Sequence, residues 1–275
     1  MTYSPTLSVI VPCYNEEENI QRTLGDISAG VSDFSEAVEV IVVDDGSIDR
    51  THNLACEFEA KTLRVRVIRR VENGGIGAAF WDGASHAEGD FTVMIPGDGE
   101  NDIREVLRFF DLTRSVDLVI PYIYNADVRS IKRRIVSALY RFIVNFSFGT
   151  SFGYTNGTVL YRTAVLQSVN LSSFGFFYQT EILVKLIRRG FLYAEVPHML
   201  ALRSKGESKA LTLTSLITLS LSFLKLFCQI HVVRVESREK AARSYPPDSA
   251  TYLAREEIKE RTSVANVPAD CRPHK

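Results

Sequence analysis

The sequence predicts an α/β fold built on a mainly parallel sheet with helices on both faces, and three observations carry that prediction. The first 120 residues hold five short apolar runs: Leu7 to Pro12, Val38 to Asp44, Val65 to Ile68, Phe91 to Ile95 and Leu118 to Pro121. Helix-length segments separate them, and near-continuous Val/Ile runs spaced in this way belong to parallel strands buried on both faces. Each run also ends in polar or small residues. In such sheets ligands bind beyond the carboxyl ends of the strands, because the loops there are free to vary while the sheet holds their bases.

The bulk numbers narrow the function classes. At 275 residues, with 45% hydrophobic and 24% charged composition, the chain suits one large globular domain or two small ones. A formal net charge of −1 removes any global electrostatic case for nucleic acid or an anionic membrane, so attraction to an anionic partner must come from local patches. Cys13, Cys56, Cys228 and Cys271 are scattered with no metal-binding spacing, and the opening stretch is short and polar. Together these predict a reducing, cytoplasmic setting.

The strand ends, taken in order, carry the chemistry. The first run enters Cys13-Tyr14-Asn15-Glu16-Glu17-Glu18-Asn19, where Asn15 is expected to cap a helix and the acids to favour its first turn. The second ends in Asp44-Asp45-Gly46-Ser47-Ile48-Asp49; one carboxylate could cap a helix, whereas two adjacent ones point to a ligand. After the third come Asn73-Gly74-Gly75-Ile76-Gly77-Ala78-Ala79, small residues that let a backbone approach a ligand or a neighbouring helix. Phe80 stands where a dinucleotide-binding G-x-G-x-x-G would need glycine, and the glycines follow the wrong strand for that fingerprint. The fourth empties into Pro96-Gly97-Asp98-Gly99-Glu100-Asn101-Asp102. Hard cations such as Mg²⁺ and Mn²⁺ take carboxylate oxygens, and Mg²⁺ typically needs only one or two when phosphates supply the rest. The alternative is an acidic turn with no ligand.

The second half is more basic. Between Asn125 and Gly149, helical spacing sets Arg129, Lys132, Arg133, Arg134 and Arg141 against an apolar stripe, Ile131, Ile135, Val136, Leu139 and Tyr140. The stripe is expected in the core, and the basic face is either solvated or anion-binding. A further helix begins within Phe176 to Leu183 and stops at Arg188-Arg189-Gly190, ahead of a strand candidate from Phe191 to Val196 and a basic loop from Arg203 to Lys209. Leu211 to Val233 is apolar but interrupted by Lys225, Gln229 and His231. It suits an amphipathic helix, lying on a bilayer or a partner or packed on its own domain, better than a membrane span. The predicted division is a catalytic-type domain over 1–210, this helix over 211–235, and a loosely attached polar tail over 236–275.

The strand-end motifs resemble the family-2 glycosyltransferases of GT-A fold, most closely the branch of dolichyl- and polyprenyl-phosphate sugar synthases. The pieces are Val9 to Glu16, Val42 to Thr51, Asn73 to Ala79 with Gly83, and Gly89-Asp90 leading into Asp98 to Asp102, with weaker matches as far as Lys209. That resemblance implies inverting sugar transfer from a nucleotide-sugar donor, assisted by Mg²⁺ or Mn²⁺, to a polyprenyl phosphate at the inner membrane face. The competing expectations are transfer to a saccharide hydroxyl and an inactive nucleotide-binding subunit. Carried over residue by residue, it places Pro12, Tyr14, Glu16, Asp44, Asp45 and Gly75 around the nucleotide. Asp98 and Glu100 become the metal ligands. Beside that carry-over, the basic residues Arg129, Arg133, Arg203 and Lys205 are nominated as partners of phosphate groups on donor or acceptor, arginine being suited to bidentate phosphate contacts. Glu181 is the candidate general base, against a plain helix-start acid. Two departures stand out. Pro96 replaces the first acid of the family's Asp-x-Asp motif, and Tyr154-Thr155-Asn156-Gly157-Thr158 replaces an Asp followed by Ser/Thr-Gly-Phe.

Overall fold

The computed structural model describes residues 6–32, 34, 37–61, 64–125, 131–199, 213–232 and 245–265, without the side chains of 132–133, 213–216 and 262–265. Seven strands form one sheet in the order β3-β2-β1-β4-β6-β5-β7. They are β1 (Leu7–Cys13), β2 (Val38–Asp44), β3 (Val65–Arg69), β4 (Phe91–Met94), β5 (Leu118–Ile123), β6 (Leu160–Arg162) and β7 (Tyr193–His198). All neighbours pair in parallel except β6, which runs antiparallel to both β4 and β5. The predicted mainly parallel sheet is present. The strand expected from Phe191 to Val196 starts two residues later, at Tyr193, and β6 is an addition to the expected set. Three residues of β6 are too few to show a period in sequence.

Strand alternation divides the interior into two cores. Ile10, Ile41, Val43 and Met94 point to one face, while Val9, Val11, Val40, Val42, Val93 and Ile95 point to the other, as a side-chain period of two requires. The first face is covered by α3 (Ile76–Ser85), α6 (Thr163–Gln167) and α7 (Tyr178–Arg189). The second lies against α1 (Ile20–Gly30), α2 (Thr51–Glu59) and α4 (Ile103–Leu107). Gly83 sets the depth of α3, since a Cβ there would stand 2.3 Å from Ile10 Cγ2 and 3.1 Å from Val43 Cγ2. Both neighbours are strand-held and fully buried. Gly83→Ala is therefore expected to destabilise the fold by about 1–3 kcal/mol through overpacking, as read by chemical denaturation; an unchanged midpoint would show that the contact relaxes freely.

Two regions depart from expectation. The long helix α5 (Ile131–Phe148) turns Tyr140, Val144 and Phe148 toward the first core, while Ile131, Ile135, Val136 and Leu139 stay exposed. The stripe expected in the core is thus largely outside, and the core-facing stripe is a different one. The tail is not loose over 245–265 either. After α8 (Leu213–His231), a last helix, α9 (Ala250–Ala265), docks by its first turn against the buried carboxylate of Asp117. Ser249, Ala250 and Thr251 are all buried there.

Candidate nucleotide-sugar site

Parallel register gathers the strand ends. Cys13 pairs with Asp44 and Asp44 with Arg69, so the loops after β1, β2 and β3 begin side by side. The β1–β4 pairing continues beyond the strand, with the Ile95 amide donating to Ile10 O at 2.9 Å and the Gly97 amide to Pro12 O at 2.9 Å. Asp98 therefore leaves the sheet beside Pro12 and Cys13. The four motifs that are separate in sequence share one mouth.

The loop after β1 is stitched to the loop after β2. Asn15, expected as a helix cap, instead takes a left-handed conformation (φ 55°) and accepts a hydrogen bond from the Ile48 amide at 3.0 Å. Its own amide donates to Ser47 Oγ at 3.0 Å, and the Glu16 amide donates to Thr51 Oγ1 at 2.7 Å. Asn is among the few residues that tolerate this backbone region. Pro12 is buried, Tyr14 is 39% exposed at the mouth, and Glu16 is half-buried with Oε2 accepting from Asn19 Nδ2 at 2.9 Å.

The adjacent carboxylates after β2 have different tasks. Asp45 accepts from the amides of Gly74 and Gly75 at 2.9 and 2.8 Å and meets Arg70 Nε at 2.9 Å. It fixes the turn that opens α3, where Gly75 adopts a φ of 86°. Asp44 is fully buried, with Oδ1 receiving the Ser47 amide at 3.0 Å. Its Oδ2 has no hydrogen bond and lies 3.4 Å from both His52 Nδ1 and Arg69 Nε. The acids are felt locally: burial, then Asp44, Glu16, Asp49 and Asp45, push the Cys13 thiol far up from its ordinary value. Sequence reasoning missed His52, Arg69 and Arg70. Their signal was the register, which sets Arg69 opposite Asp44.

The fourth loop is held from beneath. Thr23 Oγ1 donates to Gly97 O at 3.1 Å, and a Cβ on Gly97 would stand 2.9 Å from Cys13 Cβ. Gly99 has a φ of 72°, with the Arg22 guanidinium over it. Asp98 is half-buried, Glu100 is exposed, and the Glu100 amide donates to Asp98 Oδ1 at 3.0 Å. Asp102 caps α4 through the Arg104 amide at 3.0 Å. Among the described residues no group of three His, Cys, Asp or Glu side chains is arranged to hold a metal. Pro96 offers no side-chain oxygen. An Asp98–Glu100 pair nevertheless has the donor chemistry of a hard divalent ion that takes its other ligands from phosphates and water.

Glu181 is not solvent-accessible, and its Oε2 is buried with no hydrogen-bond partner. It is fully buried in α7, with Oε1 receiving the Ser172 amide, Ser172 Oγ and Lys185 Nζ at 2.9, 2.8 and 2.6 Å. Arg129, Arg203 and Lys205 lie outside the described residues, as does the side chain of Arg133. Next to the end of β5 is a cavity of about 600 Å³, bordered by Ile123, Ile131, Arg134, Ser137, Arg141 and Tyr154. Its loop is anchored where Glu195 Oε1 accepts the Gly153 amide at 2.6 Å and Arg141 Nη1 donates to Gly153 O at 2.8 Å.

Residues 8–170 match the family model described as glycosyl transferase family 2. The polyprenol monophosphomannose synthase of Mycolicibacterium smegmatis is 32% identical over 214 residues, covering 73% of this chain and 79% of that protein. A dolichol-phosphate mannosyltransferase of Pyrococcus furiosus is 28% identical over 211 residues, with 74% of this chain matching 58% of its length. In fold, the chain is similar to glucosyl-3-phosphoglycerate synthase from Mycobacterium tuberculosis in complex with uridine diphosphate. The TM-score is 0.61 at 23% identity, covering 82% of this chain and 79% of that one.

Proposed function

The chain belongs to glycosyl transferase family 2, and from that premise we propose that it moves a sugar, with inversion, from a nucleotide-sugar donor to a polyprenyl phosphate. The observation that carries the reading is the convergence of four strand-end loops on one mouth, with Asp98 leaving the sheet beside Pro12. The relatives named for polyprenol- and dolichol-phosphate chemistry support the acceptor class.

The donor's base and ribose would lie over Pro12, Tyr14 and Glu16, with the diphosphate running toward Asp98 and Glu100. In the reaction an acceptor phosphate oxygen bonds to the anomeric carbon as the bond from that carbon to the β-phosphate oxygen breaks. The electron pair leaves with the nucleoside diphosphate. When bound by Asp98 and Glu100, a Mg²⁺ or Mn²⁺ supplies stabilisation of that growing charge. A phosphomonoester, with a second pKa of about 6, is already a nucleophile at neutral pH and needs no base. Glu181, held by Lys185 and Ser172, is then a structural ion pair, which favours a phosphate over a saccharide hydroxyl as acceptor. The cavity beside Arg134 and Arg141 suits the acceptor's headgroup, and Arg129, Arg133, Arg203 and Lys205 stay proposed phosphate partners on their chemistry alone.

The test is transfer from a panel of guanosine- and uridine-diphosphate hexoses to a polyprenyl phosphate with Mg²⁺ or Mn²⁺. We expect turnover with at least one donor, dependent on the ion. Nucleotide binding without transfer to any acceptor would instead identify an inactive subunit and place the cause at Pro96.

A further inference from the structure

The chain between α5 and β6 is pinned at both ends by side chains from outside it. At the first end, Asn145 Oδ1 accepts the Phe152 amide at 3.0 Å and Asn145 Nδ2 donates to Phe152 O at 3.1 Å, while Glu195 and Arg141 hold the amide and carbonyl of Gly153. At the other end, Gln179 Nε2 donates to Gly157 O at 2.5 Å, an oxygen that also receives the Val159 amide at 3.0 Å. Between the pins stand Tyr154, half-buried on the rim of the cavity, and Asn156, which is exposed. Both pinned glycines press on β5. A Cβ on Gly153 would stand 3.0 Å from Tyr122 Cβ, and one on Gly157 would stand 2.5 Å from Pro121 Cγ. Topology fixes what this loop separates. β6 lies between β4 and β5 and runs antiparallel to both, so the chain that enters it comes in at the mouth, between the turn carrying Asp98 and the cavity at the end of β5.

We propose that Gln179 is a positioning residue for the transferred sugar: by holding Gly157 it fixes the loop over residues 153–158 against that sugar and so sets its angle to the incoming phosphate. The proposal rests on the reading of the mouth as a nucleotide-sugar site, since a sugar that leaves a diphosphate at Asp98 for a phosphate at the cavity lies beside this loop. Gln179 is built to transmit position. It is buried in the first turn of α7, and its neighbours on both sides are anchored: Tyr178 Oη donates to Met94 Sδ at 3.2 Å, and Thr180 Oγ1 lies 2.7 Å from Tyr140 Oη. The same turn packs on the start of α3, where a Cβ on Gly77 would stand 2.8 Å from Tyr178 Cβ. Gln179 therefore links the Gly74–Gly75 turn, held by Asp45, to the loop on the cavity's side. Misplacement by about 1 Å near reacting atoms can cost about 10²-fold in rate, so one buried amide is enough to matter.

Calorimetric titration of the full chain and of Q179M tests it, with guanosine- and uridine-diphosphate hexoses compared against the bare diphosphates, alongside transfer to a short, water-soluble prenyl phosphate. Methionine keeps the length of the side chain and removes the donor. We expect Q179M to bind the bare diphosphate as the parent does and to lose affinity for the nucleotide sugar. Its kcat for transfer should fall about 10–100-fold, with a larger share of the donor lost to water. G157A, which drives the same loop off Pro121, should act in the same way, and the double variant should be little worse than either because both act through one element. A Q179M variant that matches the parent in sugar affinity and in the ratio of transfer to hydrolysis overturns the proposal. So does one in which diphosphate affinity, sugar affinity and melting temperature fall together, the mark of a purely structural contact. The sugar's share of binding is read without an acceptor, so the expected titrations with no transfer to any prenyl phosphate would sink the acceptor reading and leave the positioning role standing. A parent that binds no nucleotide overturns both.

Discussion

Asp98→Ala is expected to lower sugar transfer by about 10²–10³-fold, or about 2.7–4 kcal/mol of transition-state stabilisation, while leaving folding nearly unchanged. The side chain is half-buried and accepts the Glu100 amide at 3.0 Å. The loop has anchors of its own, since the Gly97 amide is tied to Pro12 O and Gly97 O is tied to Thr23. With Pro96 in place of a second acid, the charge on the departing diphosphate has few partners to share it. Glu100→Ala should cost less, since that side chain is exposed and reaches the site from the far end of the turn. Asp98→Asn keeps the amide contact and removes the charge, so a loss equal to that of Ala isolates electrostatics from loop geometry. Steady-state rates across a Mg²⁺ and Mn²⁺ titration provide the readout. A rate unaffected by either substitution would show that the site has been misassigned.

The part of the fold visible in the sequence was the part with simple periodicity. Parallel strands buried on both faces write themselves as Val/Ile runs, and their polar ends gave the four motifs in order. The roles of individual carboxylates were less visible. Asp44 and Asp45 are neighbours in sequence, yet one is paired with His52 and Arg69 while the other spends both oxygens on the Gly74–Gly75 turn. Only the register and the loop path decide that. Glu181 reads in sequence as a general base or a helix-start acid; it does lie in the first turn of α7, but its burial against Ser172, nine residues earlier, is not legible there. The stripe on α5 was assigned to the core because helical spacing identifies an apolar face without saying what covers it. That helix has two such faces. The tail read as loose because its composition is polar, and composition cannot register a single buried carboxylate 133 positions earlier.

That carboxylate carries the largest stability effect we expect. Asp117, fully buried at the start of β5, accepts the Ala250 amide at 2.7 Å on one oxygen and the Thr251 amide at 3.0 Å on the other, with Thr251 Oγ1 also donating to it. It thus satisfies the unpaired amides of the first turn of α9, where the helix dipole also favours a negative charge. On its other side Arg162 Nε donates to Oδ1 at 3.1 Å, and the guanidinium lies over the Phe91 ring, 4.7 Å from its centroid. Asp117→Ala should therefore cost about 3–5 kcal/mol, because it leaves Arg162 buried without its counter-charge and strips the helix of its cap. Asp248 cannot compensate, being 58% exposed and 3.6 Å from Arg162 Nη1, and Asp248→Ala should change stability by less than about 1 kcal/mol. Urea denaturation distinguishes the two. Adding Arg162→Met to Asp117→Ala removes the orphaned charge, and the double variant should regain part of the loss, as replacing both members of a buried pair often does. If the double variant were no more stable than Asp117→Ala, the cost would lie in the cap and the docking of α9 and not in the stranded guanidinium. In that case deleting residues 245–275 should destabilise the parent by as much as Asp117→Ala does.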